Sequence, residues 1–156
     1  MSKIIPVLII GILLSACGGM PENTPLPTPT SQSNTACSAP TNWTIQYNRS
    51  GGFAGFNESL TLDNGGNLTV QSERPAADGQ QTISEEQVKA ITEVLVQACP
   101  FDIAKDKGDC ADCFFYDLNI EMDGLAYSVQ ASDVTLTEEL HPLISALSQL
   151  LQDTGQ

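Results

Sequence analysis

Cys110-Ala111-Asp112-Cys113 has the C-x-x-C spacing that supports thiol–disulfide exchange. That chemistry needs a stabilised thiolate, which usually sits at a helix N-terminus in a βαβ setting. Here the pair precedes an alternating, strand-like run and lies among Asp106, Asp109 and Asp112, whose charges raise a thiol pKa. Redox catalysis is therefore disfavoured. A zinc site built from Cys37, Cys99, Cys110 and Cys113 fits the count but suits a reducing compartment better. His141 is the only histidine and stands beside Pro142, so neither a histidine-based triad nor a metalloenzyme is expected. No Gly-x-Ser-x-Gly elbow is present, and the glycine-rich stretch lacks the Lys-Ser/Thr of a phosphate loop. Asp102, Asp106, Asp109 and Asp112 are dense enough for calcium but do not have EF-hand spacing; the alternative is a solvated acidic loop. These residues predict a non-enzyme with no catalytic residue, no metal and no cofactor.

One further segment has a composition that invites a role. In Ser50-Gly51-Gly52-Phe53-Ala54-Gly55, three glycines and an alanine strip side chains from both flanks of an aromatic residue. Such a backbone can enter a narrow cleft while Phe53 fills a pocket. Equally, the glycines can form a bulged turn with Phe53 closing the edge of the core.

The elements that hold these residues follow from periodicity. Trp43, Ile45 and Tyr47 alternate with polar residues, as in a half-buried strand. After the glycine-rich break, Leu60 and Leu62 run into Asp63-Asn64-Gly65-Gly66-Asn67, and Leu68 and Val70 resume the alternation, so a hairpin is expected. Pro75 to Thr82 reads as a loop. Ser84-Glu85-Glu86-Gln87 matches a capping box, and Val88, Ile91, Leu95 and Ala98 give the following helix one apolar face. Phe101 to Asp112 reads as an irregular loop pinned by disulfides. Phe114 to Met122 and Tyr127 to Ala131 form a hairpin about Asp123-Gly124. A last helix carries Leu140, Leu143, Ile144, Leu147 and Leu151, with its regular part beginning near His141 because Pro142 fits a first turn. The expected fold is a single α+β domain over residues 41–152. It has an antiparallel sheet of about five strands, the order βββαββα, and both helices on one face.

The N-terminal segment points to export. Lys3 is followed by an apolar run from Ile4 to Leu14, then Ser15, Ala16 and Cys17, the order of a secretory signal. The run is shorter than the roughly 20 residues needed to span a bilayer, and Pro6 interrupts it. Leu14-Ser15-Ala16-Cys17 resembles the bacterial lipobox, which implies cleavage after residue 16, acylation of Cys17 and a membrane partner reached through lipid. Gly18 and Gly19 follow, without an aspartate to retain the protein at an inner membrane. The outer membrane is the expected location where the cell has one, facing periplasm or exterior. Residues 17–40 are rich in Pro, Thr, Ser and Asn and read as a tether stiffened by Pro25, Pro27 and Pro29.

Export leaves Cys37, Cys99, Cys110 and Cys113 for two disulfides, with three possible connectivities. It also makes the sequons at Asn42, Asn48, Asn57 and Asn67 incidental. The net charge of −13 repels nucleic acid, which is excluded as a partner, although acidity can equally serve solubility.

The strand before Arg49-Ser50-Gly51-Gly52-Phe53-Ala54-Gly55-Phe56, the Leu60 to Leu62 run and the turn after it resemble the emfourin family. These are small bacterial inhibitors of thermolysin-like zinc metallopeptidases. The likeness extends from about Trp43 to Leu151, through the helix near Ser84 to Ala98, the late hairpin with Asp133 and the last leucine-rich helix. The lipid anchor, tether and four further cysteines depart from the family. The resemblance implies a non-catalytic inhibitor whose Ser50–Gly55 loop occupies a peptidase cleft, with Phe53 in the subsite that takes bulky apolar residues after the scissile bond. The alternative expectation is a lipoprotein binding or scaffold module of the cell envelope, in which the loop is only a turn.

Overall fold

A computed structural model describes residues 37–73, 78–101 and 107–154. The leader, Cys17 and the tether as far as Ala36 lie outside the described residues, as do Arg74, Asp102, Lys105 and Asp106. The described residues belong to one compact unit within Asn34–Gln156. No helix among them is long and apolar enough to cross a membrane.

The fold is α+β, with one antiparallel sheet of six strands and two helices. The strands are β1 (Trp43–Gly51), β2 (Phe56–Asp63), β3 (Asn67–Ser72), β4 (Gly79–Thr82), β5 (Phe114–Met122) and β6 (Leu125–Ser132). Helix α1 (Glu85–Ala98) lies between β4 and β5, and α2 (His141–Thr154) follows β6. In space the strands run β4-β3-β2-β1-β5-β6, so the meander β1 to β4 spreads to one side of β1 and the late hairpin to the other. The expected α+β sheet of about five strands thus gains one strand, before α1. The loop read from Pro75 to Thr82 contains β4, whose Gly79, Gln80, Gln81 and Thr82 pair with Val70, Thr69, Leu68 and Asn67. That strand has no apolar alternation because it is an edge exposed on both faces. Backbone pairing and the Gln81 Nε2 bond to Thr154 Oγ1 (3.0 Å) hold it instead.

Period-two alternation places Trp43, Ile45, Tyr47, Leu60, Leu62, Leu68, Val70, Leu118 and Ile120 on the buried face. Both helices cover that face. Trp43 Nε1 donates to Thr92 Oγ1 of α1 (3.0 Å), and the Tyr47 hydroxyl meets Ser148 Oγ of α2 at 2.7 Å. Burial pushes the Tyr47 hydroxyl pKa up to about 12, keeping it a neutral donor or acceptor in that bond. Helix α1 starts at a complete capping box: Ser84 Oγ accepts from Gln87 N and Gln87 Oε1 accepts from Ser84 N. It contributes Ile91, Leu95 and Ala98 to the core, whereas α2 contributes Leu143, Ile144, Leu147, Leu150 and Leu151.

Two disulfides are present, Cys37–Cys99 and Cys110–Cys113. The first spans 62 residues and ties the start of the domain to the end of α1. By loop-closure entropy it contributes on the order of 4 kcal/mol, against about 2 kcal/mol for the short ring.

The residues just before β1 are fixed at the strand end remote from the glycine-rich loop. Thr41 and Asn42 donate their amides to the Asp123 carboxylate in the β5–β6 turn, and Asn64 N donates to Trp43 O. The nine residues of β1, at about 3.3 Å each, put that point roughly 27 Å from Gly51.

Candidate functional site

The glycine-rich segment forms the β1–β2 turn. Gly51 pairs with Phe56 across the hairpin, and Gly55 N donates to Gly52 O (3.0 Å), leaving Phe53 at the tip. Phe53 is 94% exposed. The expectation that it closes the core edge is therefore overturned: the turn reverses the chain before the ring can reach the buried face.

Two glycines are required by the neighbours of the turn. At Gly51 (φ +92°) a Cβ would stand 2.5 Å from Cys113 O, and at Gly52 (φ +69°) one would stand 2.8 Å from the Phe114 ring. Both also occupy the left-handed region, which costs an L-residue about 1–2 kcal/mol. Their smallness lets the turn lie against the start of β5, where Gly52 N donates to Cys113 O at 2.8 Å.

Beneath the turn the inner face changes character. Arg49 and Glu58 continue the buried rows of β1 and β2 and form an ion pair with both side chains at or below 10% exposure. The Arg49 guanidinium carbon lies 5.0 Å from the Phe114 ring centre and 5.9 Å from that of Phe56; the two rings are 5.8 Å apart. A desolvated guanidinium over aromatic faces gains cation–π attraction, and Glu58 balances its charge. Asp133 secures the other side of Phe114. Its carboxylate accepts from Phe114 N (2.8 Å) and from the Tyr116 hydroxyl (2.5 Å), and its own amide donates to Phe114 O (3.1 Å). Burial and this bond to Asp133 raise the Tyr116 pKa, so its hydroxyl stays protonated and donating.

Ser50, Gly51, Gly52, Phe53, Ala54 and Gly55 thus sit together on one turn at one end of the sheet. Cys110 and Cys113 close their ring beside it, in a bend before β5 rather than at a helix start. Cys37 and Cys99 bond elsewhere. His141 opens α2 at the surface, with Nδ1 3.4 Å from Ser145 Oγ. Among the described residues no three His, Cys, Asp or Glu side chains gather to hold a metal ion. The buried Arg49–Glu58 pair was not read from the sequence. The signal was available: carrying the alternation of Ile45 and Tyr47, and of Leu62 and Leu60, two residues further places both charges inward.

No family model matches this chain, and no curated protein matches it.

Proposed function

We propose that this protein is a membrane-anchored lipoprotein that inhibits thermolysin-like zinc metallopeptidases through the Ser50–Gly55 loop. The observation that carries the reading is the 94% exposure of Phe53 at the tip of a turn whose base is buttressed by Phe114, Arg49 and Asp133. Enzyme sites are concave and mostly apolar. A projecting aromatic on a glycine-flanked backbone has instead the shape of a ligand for such a cleft. Phe53 supplies the bulky apolar group for the subsite after the scissile position, and the flanking glycines let the backbone follow the cleft walls. Preorganisation favours affinity, because a turn already held by its neighbours loses little entropy on binding.

In this reading the leader is removed before Cys17, the acylated cysteine holds the protein in the outer membrane where the cell has one, and residues 17–40 are the tether. The protein does no chemistry itself and needs no cofactor.

The test is to titrate the full-length protein against a panel of thermolysin-like peptidases. Loss of turnover at stoichiometric protein is expected for at least one of them. Unchanged activity across the whole panel would overturn the reading.

A further inference from the structure

The Cys110–Cys113 ring has no part in the core, and of the two crosslinks it restrains the shorter stretch of chain. What it adjoins is the loop. Gly52 N donates to Cys113 O at 2.8 Å, which carries the turn's contact with the other segment one step beyond the β1–β5 ladder that ends at Gly51 and Phe114. The peptide unit that carries this carbonyl is Cys113–Phe114, and its N–H donates to Asp133 Oδ2 at 2.8 Å. Because a peptide unit is planar, fixing its N–H on Asp133 also aims its C=O at Gly52. On the other side of that unit lies Asp112, held at φ +63°, a left-handed conformation that an aspartate tolerates but does not prefer. An open chain at this point would sample other conformations and swing the carbonyl away.

We propose that the Cys110–Cys113 disulfide is a positioning brace for the inhibitory loop: with Asp133 it clamps the Cys113–Phe114 peptide and so holds Phe53 in its presented position. This rests on the loop reading above, and it assigns the C-x-x-C pair a static role in place of thiol exchange. The closure that matters is local. Opening the ring frees the anchor of one turn while the sheet register, the helices and the Cys37–Cys99 tie are left as they are.

The test uses the full-length protein and the variant Cys110→Ser/Cys113→Ser, followed by amide hydrogen exchange. Exchange at Gly52 is expected to accelerate at least tenfold, while Gly65 and Gly66 in the β2–β3 turn keep their rates. Asp133→Asn, which weakens the other side of the same peptide, should produce the same local pattern, and Cys37→Ser/Cys99→Ser should not. In a peptidase complex the serine pair should raise the dissociation rate at least fivefold with little change in association. Unchanged exchange at Gly52, acceleration spread evenly over the sheet, or failure of the serine pair to fold would each overturn the brace. If the wild-type protein inhibits no peptidase, the loop reading fails, and Gly52 exchange still decides whether the ring braces the turn.

Discussion

The two turns at either end of β2 reverse the chain by opposite means. In the Asp63–Asn67 turn the Asp63 carboxylate accepts from Gly65 N (2.9 Å), Asn67 N (3.1 Å) and Asn67 Nδ2 (2.9 Å), so two of its backbone amides are capped from within. In the Gly52–Gly55 turn one amide bonds within the turn and another reaches over to Cys113. The first turn is polar and capped by its own aspartate, with Asn64 donating outward to Trp43 O and Thr41 O. The second shows a phenylalanine to solvent and takes its rigidity from a buried Arg49–Glu58 pair, two aromatic rings and Asp133. A turn that only connects strands can be stabilised from within. A turn that must present an apolar side chain has no room for such capping and is supported from below.

The comparison is broken most severely by removing that support. Arg49→Met takes the guanidinium away from the buried Glu58 carboxylate and should cost about 3 kcal/mol or more in urea unfolding, with much of the loss recovered in Arg49→Met/Glu58→Met. A pair that could be removed one partner at a time at little cost would show that the platform is incidental. Gly51→Ala comes next. It combines a left-handed backbone with a Cβ 2.5 Å from Cys113 O, and should lower stability by about 3 kcal/mol in the same assay.

Phe53→Ala separates presentation from folding. It should leave stability within about 0.5 kcal/mol of wild type because the ring is exposed, yet weaken inhibition more than tenfold, or about 1.4 kcal/mol. The self-capped turn supplies the smallest effect. Asp63→Ala should cost about 1 kcal/mol and leave inhibition unchanged. Hydrogen bonding from Asn67, with help from the Asn67 and Gly65 amides, holds the Asp63 carboxyl below its ordinary value of 3.8. A depressed folded-state pKa means that this stabilisation is complete above about pH 3.8 and is lost as pH falls through the lower, folded value. The stability difference between wild type and Asp63→Asn should therefore shrink under strongly acidic conditions. A difference that grew with acid would contradict the assignment.

Much of the fold was legible in the sequence because the core strands are half-buried and both helices have one apolar face. Ile45, Tyr47, Leu60, Leu62, Leu118 and Ile120 mark the inner rows, and Ser84 and Gln87 announce α1. Strand β4 was hidden because Gly79-Gln80-Gln81-Thr82 is stabilised by pairing to β3 rather than by burial, which leaves no pattern to read. The candidate loop was visible in its composition, but whether Phe53 faced in or out was not, since local sequence does not set the direction of a turn's tip. Its supports were harder still to see. Arg49 and Asp133 come together with Phe114 only through the pairing of β1 with β5 and of β5 with β6.

The proposed inhibition depends on Phe53 as a presented anchor. The most direct measurement is the inhibition constant of the full-length protein and of Phe53→Ala against one thermolysin-like peptidase, taken alongside their thermal unfolding. Stoichiometric inhibition by wild type, more than tenfold weaker inhibition by the variant, and superimposable unfolding curves are expected. Equal inhibition by the two proteins, or a variant that loses stability in step with its inhibition, would contradict that dependence.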